Sequence, residues 1–204
     1  MNFSVTQNGI ALDSNKYDWN KSTKVFSTNE DDLVLDFSNI NGVIFKTGSR
    51  CKFITGDNCK FNTGFRCTFD TESGCTFKTG DNCTFVTDCD CTFTTGFSCT
   101  FKTGFNCTFK TDYGCTFDTI YGCTFNTKSN CTFITIHNCK FNVSDKCTIR
   151  TSFNSRIKMK ESCVVHRSDT DEVWMFSNCM IQTNERNEFG YLDEDELICK
   201  DIIE

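Results

Sequence analysis

The 204-residue chain contains no proline, so no strand in it loses a ladder hydrogen bond to an imide nitrogen. It has only two histidines, His137 and His166, and neither stands at a motif spacing from an acid or a nucleophile. That removes the usual basis for acid–base or nucleophilic catalysis. No P-loop, dinucleotide fingerprint or nucleophile elbow is present. No apolar run approaches the ~20 residues of a membrane span, and Met1–Ser14 lacks the basic and apolar regions of a secretory signal. The reading is a soluble, non-enzymatic protein of a reducing, cytoplasmic compartment, with no cofactor and no membrane partner.

What the chain has instead is 17 Cys and 22 Phe, against 2 Trp and 4 Tyr. Thirteen of the cysteines, from Cys51 to Cys147, lie eight residues apart without a break. Each unit reads C-T-F-x-T-G-x-x, with Phe at the third position from Phe53 to Phe141 and Thr at the fifth from Thr55 to Thr135. Cys, Phe and Thr alternate with polar positions, which is the period of a strand. Substitutions mark the inward side: Leu35 and Val43 precede the series at the Cys position, Ile149, Ile157, Val165, Val173 and Ile181 continue the Phe position, and Val143 and Met159 replace Thr. Gly falls at the sixth position (Gly56, Gly64, Gly80, Gly96, Gly104) or the eighth (Gly74, Gly114, Gly122), and Asn is frequent at the eighth, so these corners require a positive φ.

A strand and a tight corner, repeated without helices, predict an all-β fold: a parallel β-solenoid (β-helix) of octapeptide repeats. Residues 35–183 form the solenoid, 1–34 an N-terminal cap built around Phe3, Val5, Tyr17, Trp19 and Phe26, and 184–204 an acidic C-terminal cap with a short helix from Leu192. At the outward fourth position, alternate units give Lys46, Asn62, Lys78, Thr94, Lys110, Asn126, Asn142 and Lys158, while the others mix acids, bases and apolar residues. This segregation points to two repeats, 16 residues, per coil. A 24-residue triangular coil is the alternative, with Phe in the centre and Cys and Thr in the corners.

The expected structural core is Cys75, Phe77, Cys83, Phe85, Cys91, Phe93, Cys99, Phe101, Cys107, Phe109, Cys115 and Phe117. Disulfides need Cβ atoms ~3.8 Å apart, closer than the ~4.8 Å between in-register strands, so the cysteines read as free buried thiols. Structural zinc wants close pairs converging on four ligands, and only Cys89 and Cys91 are near neighbours, so no metal site is expected.

The run C-T-F-K-T-G-F-N-C-T-F-K-T from Cys99 to Thr111, the Cys163-Val-Val-His-Arg167 end, and Leu33-Val-Leu-Asp-Phe37 ahead of Gly42–Gly48 resemble octapeptide-repeat proteins of tailed phages and large DNA viruses. The resemblance covers most of the chain. It implies a β-solenoid, a viral origin and association with a virion, and it brings no catalytic residues.

The net charge of −6 is uneven: residues 151–204 hold twelve acids and six bases, whereas residues 51–150 hold nine and ten. A DNA-mimicking solenoid would carry acid along its whole length. With 16-residue coils, Lys46, Lys60, Lys78, Lys110, Lys140, Arg156 and Lys158 collect on one basic face without a carboxylate among them. Such a face either blunts sheet-to-sheet association or meets an anionic partner such as nucleic acid. Outward Thr ranks lack the paired columns of an ice-binding surface. At the seventh position Phe97, Phe105, Tyr113 and Tyr121 suggest an aromatic edge, either shielding backbone or docking a partner. Two functions follow: a structural or interaction rod of a viral or phage particle, with a protein partner or self-association, or a binding module for an anionic partner.

Overall fold

The computed structural model describes residues 3–136, 138–151, 155–159, 163–167, 172–175, 179–183, 187–193 and 196–201. Each T-F-x-T segment is rich in the β-branched and aromatic residues that suit a pleated surface, and each forms a strand of three or four residues. Successive strands go alternately to two sheets. Sheet I takes Lys52–Thr55, Thr68–Thr71, Thr84–Thr87, Thr100–Lys102, Thr116–Asp118, Thr132–Ile134 and Thr148–Thr151. Sheet II takes Ile44–Lys46, Lys60–Asn62, Thr76–Lys78, Thr92–Thr95, Thr108–Thr111, Thr124–Thr127 and Lys140–Val143. Within each sheet the strands are parallel, and identical positions pair 16 residues apart, as in Phe69 with Phe85 and Phe77 with Phe93. The coil therefore holds two repeats, and the triangular alternative falls.

Phenylalanine fills the middle as a herringbone. Along a sheet the rings stack, as in Phe77–Phe93 at 4.8 Å and 2°. Across the sheets they meet edge to face, as in Phe85–Phe93 at 5.2 Å and 77°. Both arrangements suit the ring quadrupole, and each pair adds about 0.5–1.5 kcal/mol beyond its buried area. All twelve expected core residues are buried.

The corners explain why Cys precedes each Phe. Cys83 Sγ donates to the carbonyls of Asp81 (3.5 Å) and Gly64 (3.8 Å), and Cys107 Sγ to those of Phe105 and Asp88 (both 3.6 Å). One thiol thus reaches the corner carbonyl before it and the one in the preceding coil, which alanine at the same position would leave without this donor. The fifteen cysteines from Cys51 to Cys163 are buried and form no disulfide.

The two glycine positions serve different ends. The eighth residue of each unit is left-handed, with φ 58° at Asn58, 57° at Arg66, 54° at Ser98 and 70° at Gly114. The sixth-position glycines lack a positive φ, which corrects the expectation for them. They are small because the seventh-position side chain of the preceding coil lies on top: a Cβ on Gly64 would overlap the Ser49 hydroxyl and come within 3.2 Å of Ser49 Cα.

The first coil departs from the octad grid. Leu35 pairs with Phe53, and Leu33 reaches the coil where Cys51 stands, so Leu35 occupies the Phe position and not the Cys position expected for it. The offset is two residues, and since strand sides alternate, a two-residue shift keeps inward residues inward. Val25–Ser27 already runs parallel to Ile44–Lys46, so sheet II begins within the segment expected to be a cap. Antiparallel strands cover this end: Ser4–Gln7 lies on Leu33–Phe37 and Asp18–Asn20 on Val25–Ser27. At the other end Cys179–Thr183 is followed by antiparallel Asn187–Asp193 and Glu196–Asp201, so the short helix expected from Leu192 is a β-hairpin through Asp201.

Candidate functional site

The outward residues of sheet II form two in-register columns. One runs Lys46, Asn62, Lys78, Thr94, Lys110, Asn126, Asn142, Lys158, and the other Ile44, Lys60, Thr76, Thr92, Thr108, Thr124, Lys140, Arg156. The structure brings the seven expected basic residues onto one sheet, and Lys46, Lys60, Lys78, Lys110, Lys140 and Lys158 are exposed. No described carboxylate lies within 4.0 Å of Lys46, Lys60, Lys78, Lys110 or Lys140.

Sheet I is different. Its outward fourth-position column runs Asp36, Ile54, Asp70, Val86, Lys102, Asp118, Ile134 and Arg150, which mixes both signs with apolar groups. Opposite charges two coils or fewer apart cancel there, so sheet I presents no field of one sign.

The aromatic residues expected along one edge divide between two. Phe97 and Tyr113 stack at 5.5 Å on the corner leaving sheet II, and Phe105 and Tyr121 at 5.0 Å on the corner leaving sheet I. The reason is the two-repeat coil: octads that differ by one unit lie on opposite edges. Around Tyr121 the exposed Ile120, Ile134 and Ile136 add apolar surface. The sequence signal for Ile120 and Ile136 was isoleucine at the sixth position, where a small residue is usual. His137 and Phe153 lie outside the described residues.

Ion pairs concentrate at the corners. Arg50 reaches Asp32 through Nε (2.8 Å) and Nη2 (2.9 Å) and Asp31 through Nη2 (3.1 Å), and this guanidinium holds the Asp32 carboxyl below its usual range. Lys128 pairs with Asp112 at 2.7 Å. Inside, the thiols of Cys75, Cys83, Cys107, Cys115 and Cys147 are pushed well above the ordinary thiol range, first by hydrogen-bonded thiols of the neighbouring coils and then by burial.

An open cavity of about 670 Å³ lies where the N-terminal strands meet sheet II, lined among others by Lys16, Tyr17, Asp18, Thr28, Lys46 and Thr63. Lys16 is engaged by Glu30 at 3.6 Å, and the lining brings no nucleophile beside a base. Among the described residues no three His, Cys, Asp or Glu converge to hold a metal ion, and no helix is long and apolar enough to cross a membrane.

No family model, curated protein or solved structure matches the chain.

Proposed function

We propose that the chain is a non-enzymatic structural or interaction protein, a rigid rod fitted to a viral or phage particle or its scaffold. The observation that carries this reading is the ring ladder, in which every third-position Phe from Phe61 to Phe125 stacks on the rings one coil before and one coil after it and meets rings of the opposite sheet edge to face. Such a core has one way to pack and resists bending. The resemblance of the repeat to phage and viral octapeptide proteins supports the setting. Molar mass by light scattering after gel filtration, with and without reductant, tests it: a discrete oligomer indifferent to reductant is expected, because the thiols from Cys51 to Cys163 are buried and form no disulfide. A monomer in both conditions would count against a self-assembling part.

A second reading, a module that binds an anionic partner, is favoured by one observation: the five sheet II lysines with no described carboxylate within 4.0 Å. A steep salt dependence of binding, lost on charge reversal, tests it.

A further inference from the structure

We infer that sheet II is a sequence-independent docking surface for double-stranded nucleic acid, laid along the solenoid axis and held through its phosphates. This rests on the anion-binding reading above and adds the class of anion.

The chemistry of the face selects the partner. Its outward positions from Lys60 to Asn142 are Lys, Thr or Asn, all hydrogen-bond donors, with no acid and no apolar group. Donors and cations suit phosphate oxygens. Single-stranded nucleic acid is gripped through bases stacked on aromatic side chains, and this stretch of the face offers none. The Phe–Tyr pairs sit on the two edges and not between the lysine columns.

Rigidity and dimension point the same way. The chain of pairings from the Lys46 coil to the Lys140 coil has six steps, roughly 29 Å at the ~4.8 Å strand spacing. One helical turn of duplex is ~34 Å. A fixed, straight array of cations loses little entropy against a stiff duplex, whereas a flexible strand would have to be ordered against it. The duplex carries one phosphate charge per ~1.7 Å of axis, so each lysine finds a phosphate without a set register, which makes binding indifferent to sequence.

The acids flanking the stretch from Lys60 to Asn142 are at corners and mostly engaged, and Glu172 joins the column only beyond it, in register with Arg156. Asp57 Oδ1 accepts from Ser73 N, Asp81 Oδ1 from Phe97 N, Asp88 Oδ1 from Cys89 Sγ, and Asp112 is paired with Lys128. The corner acids lower the field at the rim and leave the two columns clear from Lys60 to Asn142.

The test is fluorescence anisotropy of the full chain with a labelled 20-base-pair duplex of mixed sequence, titrated over salt. Five phosphate contacts predict a slope of log affinity against log salt of about −4 to −5, from ~0.9 per contact. Reversing Lys78, Lys110 and Lys140 together to Glu should weaken binding by about 100-fold or more at low salt and flatten the slope by about 3. Lys102→Glu on sheet I should leave both unchanged. Circular dichroism of the variants checks that the fold is intact, which outward lysines should not affect. Equal or tighter binding of the single strand would overturn the duplex assignment while sparing the anionic face. Binding of poly-glutamate but not of duplex would overturn nucleic acid as the partner. No binding of any of these at low salt, or binding that ignores the triple reversal, would overturn the basic-face reading as well.

Discussion

The regular body of the solenoid and its entry coil reach the same kind of core by different means. In the body the coil step is 16 residues, the Phe rings repeat one geometry, and a thiol closes every corner. In the entry Phe26 pairs with Phe45, 19 residues on, and Leu35 with Phe53, 18 on. No cysteine occurs before Cys51. Rings there meet at assorted angles, from Phe3 stacked on Phe37 at 4.4 Å to Phe26 tilted 52° to Phe45. Polar corner support comes from Arg50 on Asp31 and Asp32. The common factor is strand alternation, which keeps alternate residues inward whatever the corner length. Exact repetition adds the thiol ladder and the herringbone, and the entry ends both by breaking them.

The largest difference between the two regions should appear at alkaline pH. A thiol whose folded pKa is raised adds stability that is complete below its unfolded pKa of ~8.5 and is lost as pH rises beyond it, because only the unfolded chain can ionise. One pH unit higher, a thiol held neutral by the fold removes about 1.4 kcal/mol. Denaturant unfolding at pH 7.5 and 9.5, followed by circular dichroism, should show the body losing stability at the higher pH. Trp19 fluorescence, in a Trp174→Phe background, reports the cysteine-free entry and should change less. Equal stability at both pH values would show that the thiols are not held neutral by the fold.

Next in size is the ring ladder. Phe93 is fully buried and touches Phe77, Phe85, Phe101 and Phe109, so Phe93→Ala should cost about 3–5 kcal/mol and lower the melting temperature by roughly 10 °C. Phe3, partly buried at the entry, should cost less than half of that as Phe3→Ala. Matching losses would mean that the herringbone adds nothing over ordinary packing.

Much of the body could be read from the chain because a strict octad leaves few options: alternation set the inward side, and the outward fourth-position ladders set two repeats per coil. The basic face followed directly, since Lys46, Lys78 and Lys110 are multiples of 16 apart. The aromatic edge was misplaced for the same arithmetic reason, because Phe97 and Phe105 differ by one octad and turn to opposite edges. The entry was hidden by its two-residue offset at Leu35, which alternation tolerates and a fixed grid cannot show. At the far end, the alternating acids and apolar residues after Leu192 fit a helix or a strand, and pairing with Asn187–Asp193 decides for the strand. The role of the thiol as a donor to corner carbonyls needed coordinates, since spacing alone shows only that the position is small and inward.

The glycines sharpen the comparison between corner positions. Gly64→Ala should cost about 1–3 kcal/mol through overlap with Ser49, and Gly64→Asn should be at least as costly. Gly114 has no neighbour nearer than 3.5 Å to an added Cβ and is constrained only by φ of 70°, so Gly114→Asn should cost well under 1 kcal/mol. Thermal melts of these variants decide it, and equal costs for the two Asn substitutions would undo the separation of crowding from backbone conformation.

The smallest expected effect is a gain. Ser98 holds φ of 54° at an eighth position, a conformation that carries a penalty for a residue with a Cβ and little for glycine. Ser98→Gly removes that penalty but gives the unfolded chain more freedom to lose, so the net should be a stabilisation of about 0.5 kcal/mol, a rise of 1–2 °C in melting temperature. Asn106, at φ of 57°, is the control: asparagine already tolerates the left-handed region, so Asn106→Gly should shift the melt by less, or lower it. A loss at Ser98 as large as at Asn106 would mean that the side chain at that corner contributes a contact worth more than the strain it carries, for instance Ser98 Oγ beside Gly114 in the next coil.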